Sequence, residues 1–173
     1  MENNISHGDW QKLASEDADT LLEQVVQYIV DKAGGSLTAE SMARLSAEQL
    51  TLWGYYILRD ELMDGGFIQL IHNGYGPFFF RNPFAKMMKT WNLADLAKLI
   101  NRANKLDAVY GQEIVKECTD EEFMALFERF PDFDNLDDEF VENEEMFTNR
   151  IADYVREHWE LFVTPSETDK PTD

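Results

Sequence analysis

Glu61-Leu62-Met63-Asp64-Gly65-Gly66-Phe67-Ile68-Gln69-Leu70-Ile71-His72-Asn73-Gly74 is the most distinctive string in the chain. A helix arrives through Leu62, and the paired glycines can take the left-handed backbone that closes it. Phe67 opens a second short helix, with Ile68 and Ile71 available to a core. Gln69 and Asn73 stand four apart and share one helical face. Asn73-Gly74 supplies the next stop. This is tight helix-turn-helix chemistry. Polar groups such as Glu61, Gln69 and Asn73 ordinarily satisfy the amides and carbonyls of the turn they flank. The alternative is a polar binding site beside the turn.

Helical signals continue on both sides. Leu21, Leu22, Val25, Val26, Ile29 and Val30 recur at helical spacing, and Gly34-Gly35 ends the run. Short helices follow at about 38–44 and 47–64. The second is apolar on most of its surface, through Leu50, Trp53, Ile57, Leu58 and Leu62, and reads as central and buried. Ser46 with Gln49, Thr119 with Glu122 and, more loosely, Asn92 with Asp95 place side-chain acceptors three residues apart. They set helix starts near 47, 120 and 93. A last helix is expected from about 138 to 162, with Phe140, Phe147, Ile151, Tyr154, His158 and Phe162 facing inward. Residues 66–71 and 78–80 are apolar enough for strands, but Asn73-Gly74 and Gly76-Pro77 interrupt them. The expectation is an all-α protein. One compact multi-helix domain spans 9–163, between a flexible start at 1–8 and a disordered tail at 164–173.

The chain has 173 residues, enough for one domain with a sizeable core. Apolar residues make up 44% and aromatics 13%, so disorder is not a reasonable reading of its body. The outlier is charge: 34 acids against 15 bases give −19. Such a field repels nucleic acid and anionic membrane and attracts basic partners. Cys118 is the single cysteine, so no intramolecular disulfide forms. Met1–Trp10 lacks the basic start and apolar run of a signal peptide, and no stretch has the length of a membrane span. The expected compartment is the cytoplasm.

The charge is polarised along the chain. Residues 65–119 are net +3, whereas 120–173 are net −14. Asp120 to Glu145 hold twelve acids and one base, Arg129. The acids are Asp120, Glu121, Glu122, Glu128, Asp132, Asp134, Asp137, Asp138, Glu139, Glu142, Glu144 and Glu145. Phe123, Leu126, Phe127, Phe130, Phe133, Leu136 and Phe140 interleave with them, which marks amphipathic helices rather than a low-complexity tail. Glu139, Glu142 and Glu145 are expected on one exposed face, and Asp153 extends the acidity further along the helix. Fixing carboxylates on helices costs self-repulsion, which a surface shaped for stability would dilute with Lys. The simplest reading is a solubilising face. The sharper one is a surface for a basic protein. Lys98, Arg102 and Lys105, with Arg81, Lys86 and Lys89, form a basic stripe. It is an ordinary solvated face, or it neutralises part of the acidic surface, or it pairs with a second copy as a homodimer.

Several chemistries find no support. His7, His72 and His158 have no metal spacing, and Asp132–Asp138 lacks the oxygen ligand and glycine of a calcium loop. No phosphate-binding loop, nucleotide fingerprint or nucleophile elbow is present. Cys118 precedes a helix start but has no sequence-local base. No catalytic residue, metal or cofactor is assigned, and a binding protein is preferred to an enzyme.

The central string resembles the E-x-x-N-G-G-F-x-Q-x-x-x-N signature of a bacterial double-stranded-DNA-mimic family built on a helical domain. The matching residues are Glu61, Gly65, Gly66, Phe67, Gln69 and Asn73; Asp64 replaces the usual Asn. The likeness covers roughly residues 40–110. It implies the helical fold. It also implies a protein that binds a DNA-binding transcription regulator and keeps it off DNA, without itself binding nucleic acid or membrane. The acidic residues from Asp120 to Asp153 would then face the partner. The competing expectation is a helical scaffold whose site is the Gly65-Gly66 turn.

Overall fold

The computed structural model describes residues 4–167. These form ten α-helices: α1 (His7–Ala14), α2 (Ala18–Ala33), α3 (Ala39–Met42), α4 (Ala47–Asp64), α5 (Gly66–His72), α6 (Gly76–Arg81), α7 (Phe84–Thr90), α8 (Ala94–Ile114), α9 (Asp120–Arg129) and α10 (Asp134–Glu157). Two 3-10 turns, Pro131–Phe133 and Trp159–Leu161, complete the set. Among the described residues the only β-type pairing is an isolated bridge between Ile5 and Pro165. The all-α expectation holds. The chain divides into two compact units, residues 1–53 with 148–173, and residues 54–147. It passes between them inside α4 and again inside α10.

The first unit is built on α2, whose Leu21, Leu22, Val25 and Ile29 are fully buried at the spacing read from the sequence. Asp17 caps its start by accepting from Thr20 N at 2.9 Å, and Gly34 closes it at φ 86°. The Ser46–Gln49 capping box is formed in both directions, each bond at 3.1 Å. Gln49 is also buried, and its amide donates to Phe162 O at 2.9 Å. Arg156 donates to the carbonyls of Ala14 and Glu16, which closes the end of α1. Both ends of the chain carry hydrogen bonds where they are described. Ile5 N donates to Thr164 O and Ser166 N to Ile5 O, each at 2.9 Å. Residues 1–3 and 168–173, also read as loose, lie outside the described residues.

The second unit packs α5, α6 and α7 against α8. Phe67, Ile68, Leu70, Phe79, Met88, Trp91, Leu96 and Leu99 are buried here, and Phe78, Phe79 and Phe84 meet edge to face. The strand-like stretches 66–71 and 78–80 fall in α5 and α6. Their apolar residues fit short helices buried on most sides, and Pro77 occupies the start of α6, where its missing N–H is harmless.

Two helix ends differ from expectation. Asn92 does not cap α8; it adopts φ 66°, and Leu93 takes the N-cap without a side-chain bond. Its short polar side chain tolerates the left-handed region, so Asn92 serves the turn out of α7. The last helix starts four residues before the expected Asp138 and ends at Glu157, where His158 leaves helical geometry at φ −126°. His158 is exposed, not part of the inner stripe, and its ring packs at a tilt against Tyr154. Phe140, Phe147, Ile151 and Phe162 are buried as read.

Candidate partner-binding surface

The glycine turn is held by side chains. Gly65 N donates to Glu61 O at 2.9 Å, and Gly66 turns the chain at φ 71°. Glu61 then accepts from Gln69 Nε2 at 3.0 Å and from Asn73 Nδ2 at 3.0 and 3.2 Å. Gln69 Nε2 also reaches Asp64 Oδ2 at 2.9 Å. The polar set therefore binds itself, where the sequence suggested bonds to the turn's backbone. The backbone is served from elsewhere. Phe67 N donates to Asp137 Oδ1 at 2.8 Å, and a Cβ on Gly66 would collide with the Asp137 carboxyl group. Gly66 is required twice, by its dihedral and by this close approach.

Asp137 is thus not on the exposed face where the sequence placed it. It is largely buried, and burial pushes its carboxyl up to about 7; the Phe67 N–H opposes this, while Asp134 and Asp138 add to it. Because the folded value lies above the unfolded one, the native state holds a proton that the unfolded chain has lost. The stabilisation is complete below about pH 4 and is lost as pH rises through about 7. Asp137→Asn keeps an acceptor for Phe67 without the titration. Wild-type stability should fall relative to this variant by on the order of 2 kcal/mol between pH 5 and 8. Equal pH dependence of the two proteins in urea unfolding would refute this.

The other acids are displayed on a well-anchored frame. Thr119 caps α9 by accepting from Glu122 N at 3.2 Å, and Asp120, Glu121 and Glu122 fill its positive first turn. Leu126, Phe130, Phe133, Leu136, Phe140 and Phe147 are buried, while Phe123 and Phe127 are half-buried and touch each other. On α10, Asp134, Asp138, Glu142 and Glu145 are exposed. Their spacings of four, four and three residues keep them within about 80° of helix face. Val141 lies in this row and is half exposed. Asp120, Glu121, Glu122, Glu128 and the four acids of the row make no ion pair among the described residues.

Besides Asp137, three acids of the block are engaged. Glu139 was expected beside Glu142 and Glu145 but turns to Arg102 on α8, with which it forms a hydrogen-bonded ion pair. Glu144 pairs with Arg59 at 3.6 Å. Asp132 accepts from the Tyr110 hydroxyl at 3.0 Å. Further along α10, in the other unit, Asp153 is exposed and pairs with Arg156 at 2.9 Å. Arg102 is thus the member of the basic stripe that neutralises an acid of the block. Lys86, Lys89, Lys98 and Lys105 are exposed.

Other candidate groups have structural partners. His72 Nδ1 bonds Ile114 O at 2.7 Å, and its ring packs on Phe123. Cys118 is half-buried in a shallow groove with Lys116 and Arg129, both of which pair with Glu113. No group of three or more His, Cys, Asp or Glu among the described residues could hold a metal ion. Among the same residues no helix is long and apolar enough to cross a membrane.

Comparison with known proteins identifies the family. A protein from Neisseria meningitidis serogroup B (strain MC58), named DNA mimic protein DMP19, is 32% identical over 125 residues, 72% of this chain and 76% of that protein. The family model described as DMP19-like protein matches residues 43–158, which take in the glycine turn and all of the acidic block. With more than half of its length matched, the chain belongs to the DMP19-like protein family.

Proposed function

We propose that the chain is a DNA mimic that occupies the DNA-reading surface of a basic DNA-binding regulatory protein. The observation that carries this is the row Asp134, Asp138, Glu142 and Glu145, exposed on a helix anchored by buried Leu136, Phe140 and Phe147 and unpaired among the described residues. Those carboxylates span about 17 Å of helix, or roughly one charge per 5.5 Å. A DNA strand carries about one per 3.4 Å of axis. The row therefore offers over half the linear charge of one strand. The acid-rich first turn of α9 adds to the same field. The name of the Neisseria relative points in the same direction.

The turn is the weaker candidate for a partner site. The amides of Gln69 and Asn73 are already occupied by Glu61 and Asp64. A second copy is a competing occupant of the row, since exposed Lys98 and Lys105 could meet it as a homodimer; sedimentation of the chain alone separates the two.

Salt dependence tests the proposal. Affinity for a captured regulator should fall linearly with the logarithm of salt. The slope should be shallower than for duplex DNA, because a protein face condenses fewer counterions. Affinity unchanged between about 50 and 500 mM salt would sink the proposal.

A further inference from the structure

Asp137 and Glu139 belong to the acidic block by sequence, yet both turn out of the row. Taking about 100° per residue, Asp137 lies about 100° to one side of the row's centre and Glu139 about 100° to the other. Each is fixed to a different neighbour. Asp137 Oδ1 accepts the Phe67 N–H at 2.8 Å, against the Gly66 turn. Glu139 is bonded to Arg102 of α8. A rotation of α10 about its axis would break both contacts, and it would carry the four exposed carboxylates away together.

We propose that Asp137 and Glu139 are positioning residues, two lateral pins that set the rotation of α10 and so fix where the Asp134–Asp138–Glu142–Glu145 row stands. The inference rests on reading that row as the partner-binding face. It gives the glycine turn a role in that function: the turn supplies the N–H and the open space that one pin requires. It also separates two classes of acid, those that touch the partner and those that hold them in place.

The test uses no partner. In the full chain with Cys118→Ser, spin labels at Asn101→Cys on α8 and Val141→Cys in the row report the distance between the two helices. Both positions are exposed and uncharged. The D137A/E139A variant should broaden the distance distribution at least twofold. The D137N/E139Q variant removes both ionisable groups but keeps both acceptors, and should match the wild type. Circular dichroism establishes that each variant is folded. If D137A/E139A does not fold, the single variants D137A and E139A should each show intermediate broadening. A distribution as narrow as wild type in the alanine variants overturns the proposal. So does D137N/E139Q as broad as D137A/E139A, because charge rather than bonding would then be responsible. Failure here leaves the row free to bind a partner. Failure of the mimic reading would appear instead as partner binding insensitive to charge reversal in the row.

Discussion

Gly66→Ala should destabilise the second unit by about 3 kcal/mol or more. The first contribution is local. An L-residue held at φ 71° costs roughly 1–2 kcal/mol. The second is the Asp137 carboxyl group, which occupies the space the new methyl needs. If the carboxyl moves aside, Phe67 N–H loses its acceptor in a buried position, at about 1–3 kcal/mol. Gly65→Ala is the control for the part played by Asp137. Gly65 lies at φ −137°, and its added methyl would meet the Gln69 side chain, whose amide can swing away but whose Cβ moves only with the backbone. Its cost should not depend on Asp137, because neither its clash nor its backbone angle involves that carboxyl group. Urea unfolding measures both. The cost of Gly66→Ala should also shrink in an Asp137→Ala background, because the two residues share one space. No coupling of Gly66→Ala to Asp137, or equal coupling at Gly65, would show that the turn is not built this way.

Charge reversal in the row should have the largest effect on binding. Asp138→Lys, Glu142→Lys and Glu145→Lys together should weaken regulator binding by at least about a hundredfold near 100 mM salt. Each reversal replaces attraction by repulsion, about 2 kcal/mol at contact in water before screening. Folding should be spared. All three residues are exposed and unpaired among the described residues, and removing neighbouring like charges relieves repulsion. Asp134 is left in place because it serves the positive first turn of α10. Reversal at Glu139 would confound the result by breaking its bond to Arg102. Isothermal titration at matched salt separates the outcomes. Retained affinity in the triple variant would leave acidity a matter of solubility.

Much of the fold was legible because it is written in local signals. The Gly65-Gly66 turn, the reciprocal Ser46–Gln49 cap and the α2 stripe each depend on residues within one or two turns. What escaped depends on distant residues. Asp137 looks like its acidic neighbours in sequence, and only its contact with Phe67, 70 residues away, makes it a buried clamp. Glu139 meets Arg102 across 37 residues. The row itself could have been found by stricter helical arithmetic. Steps of three drift about 60° each, so 139, 142 and 145 fan apart, whereas 134, 138, 142 and 145 stay together. Asn92 shows the opposite limit: a residue suited to capping was equally suited to the left-handed turn it occupies.

Competition with DNA tests mimicry most directly. A regulator captured by this chain is titrated with the chain in the presence of rising concentrations of the regulator's own DNA duplex. Mimicry predicts that the apparent Kd rises in proportion to DNA, with no ternary complex at any concentration. A chain that stays bound while the regulator is saturated with DNA would contradict it.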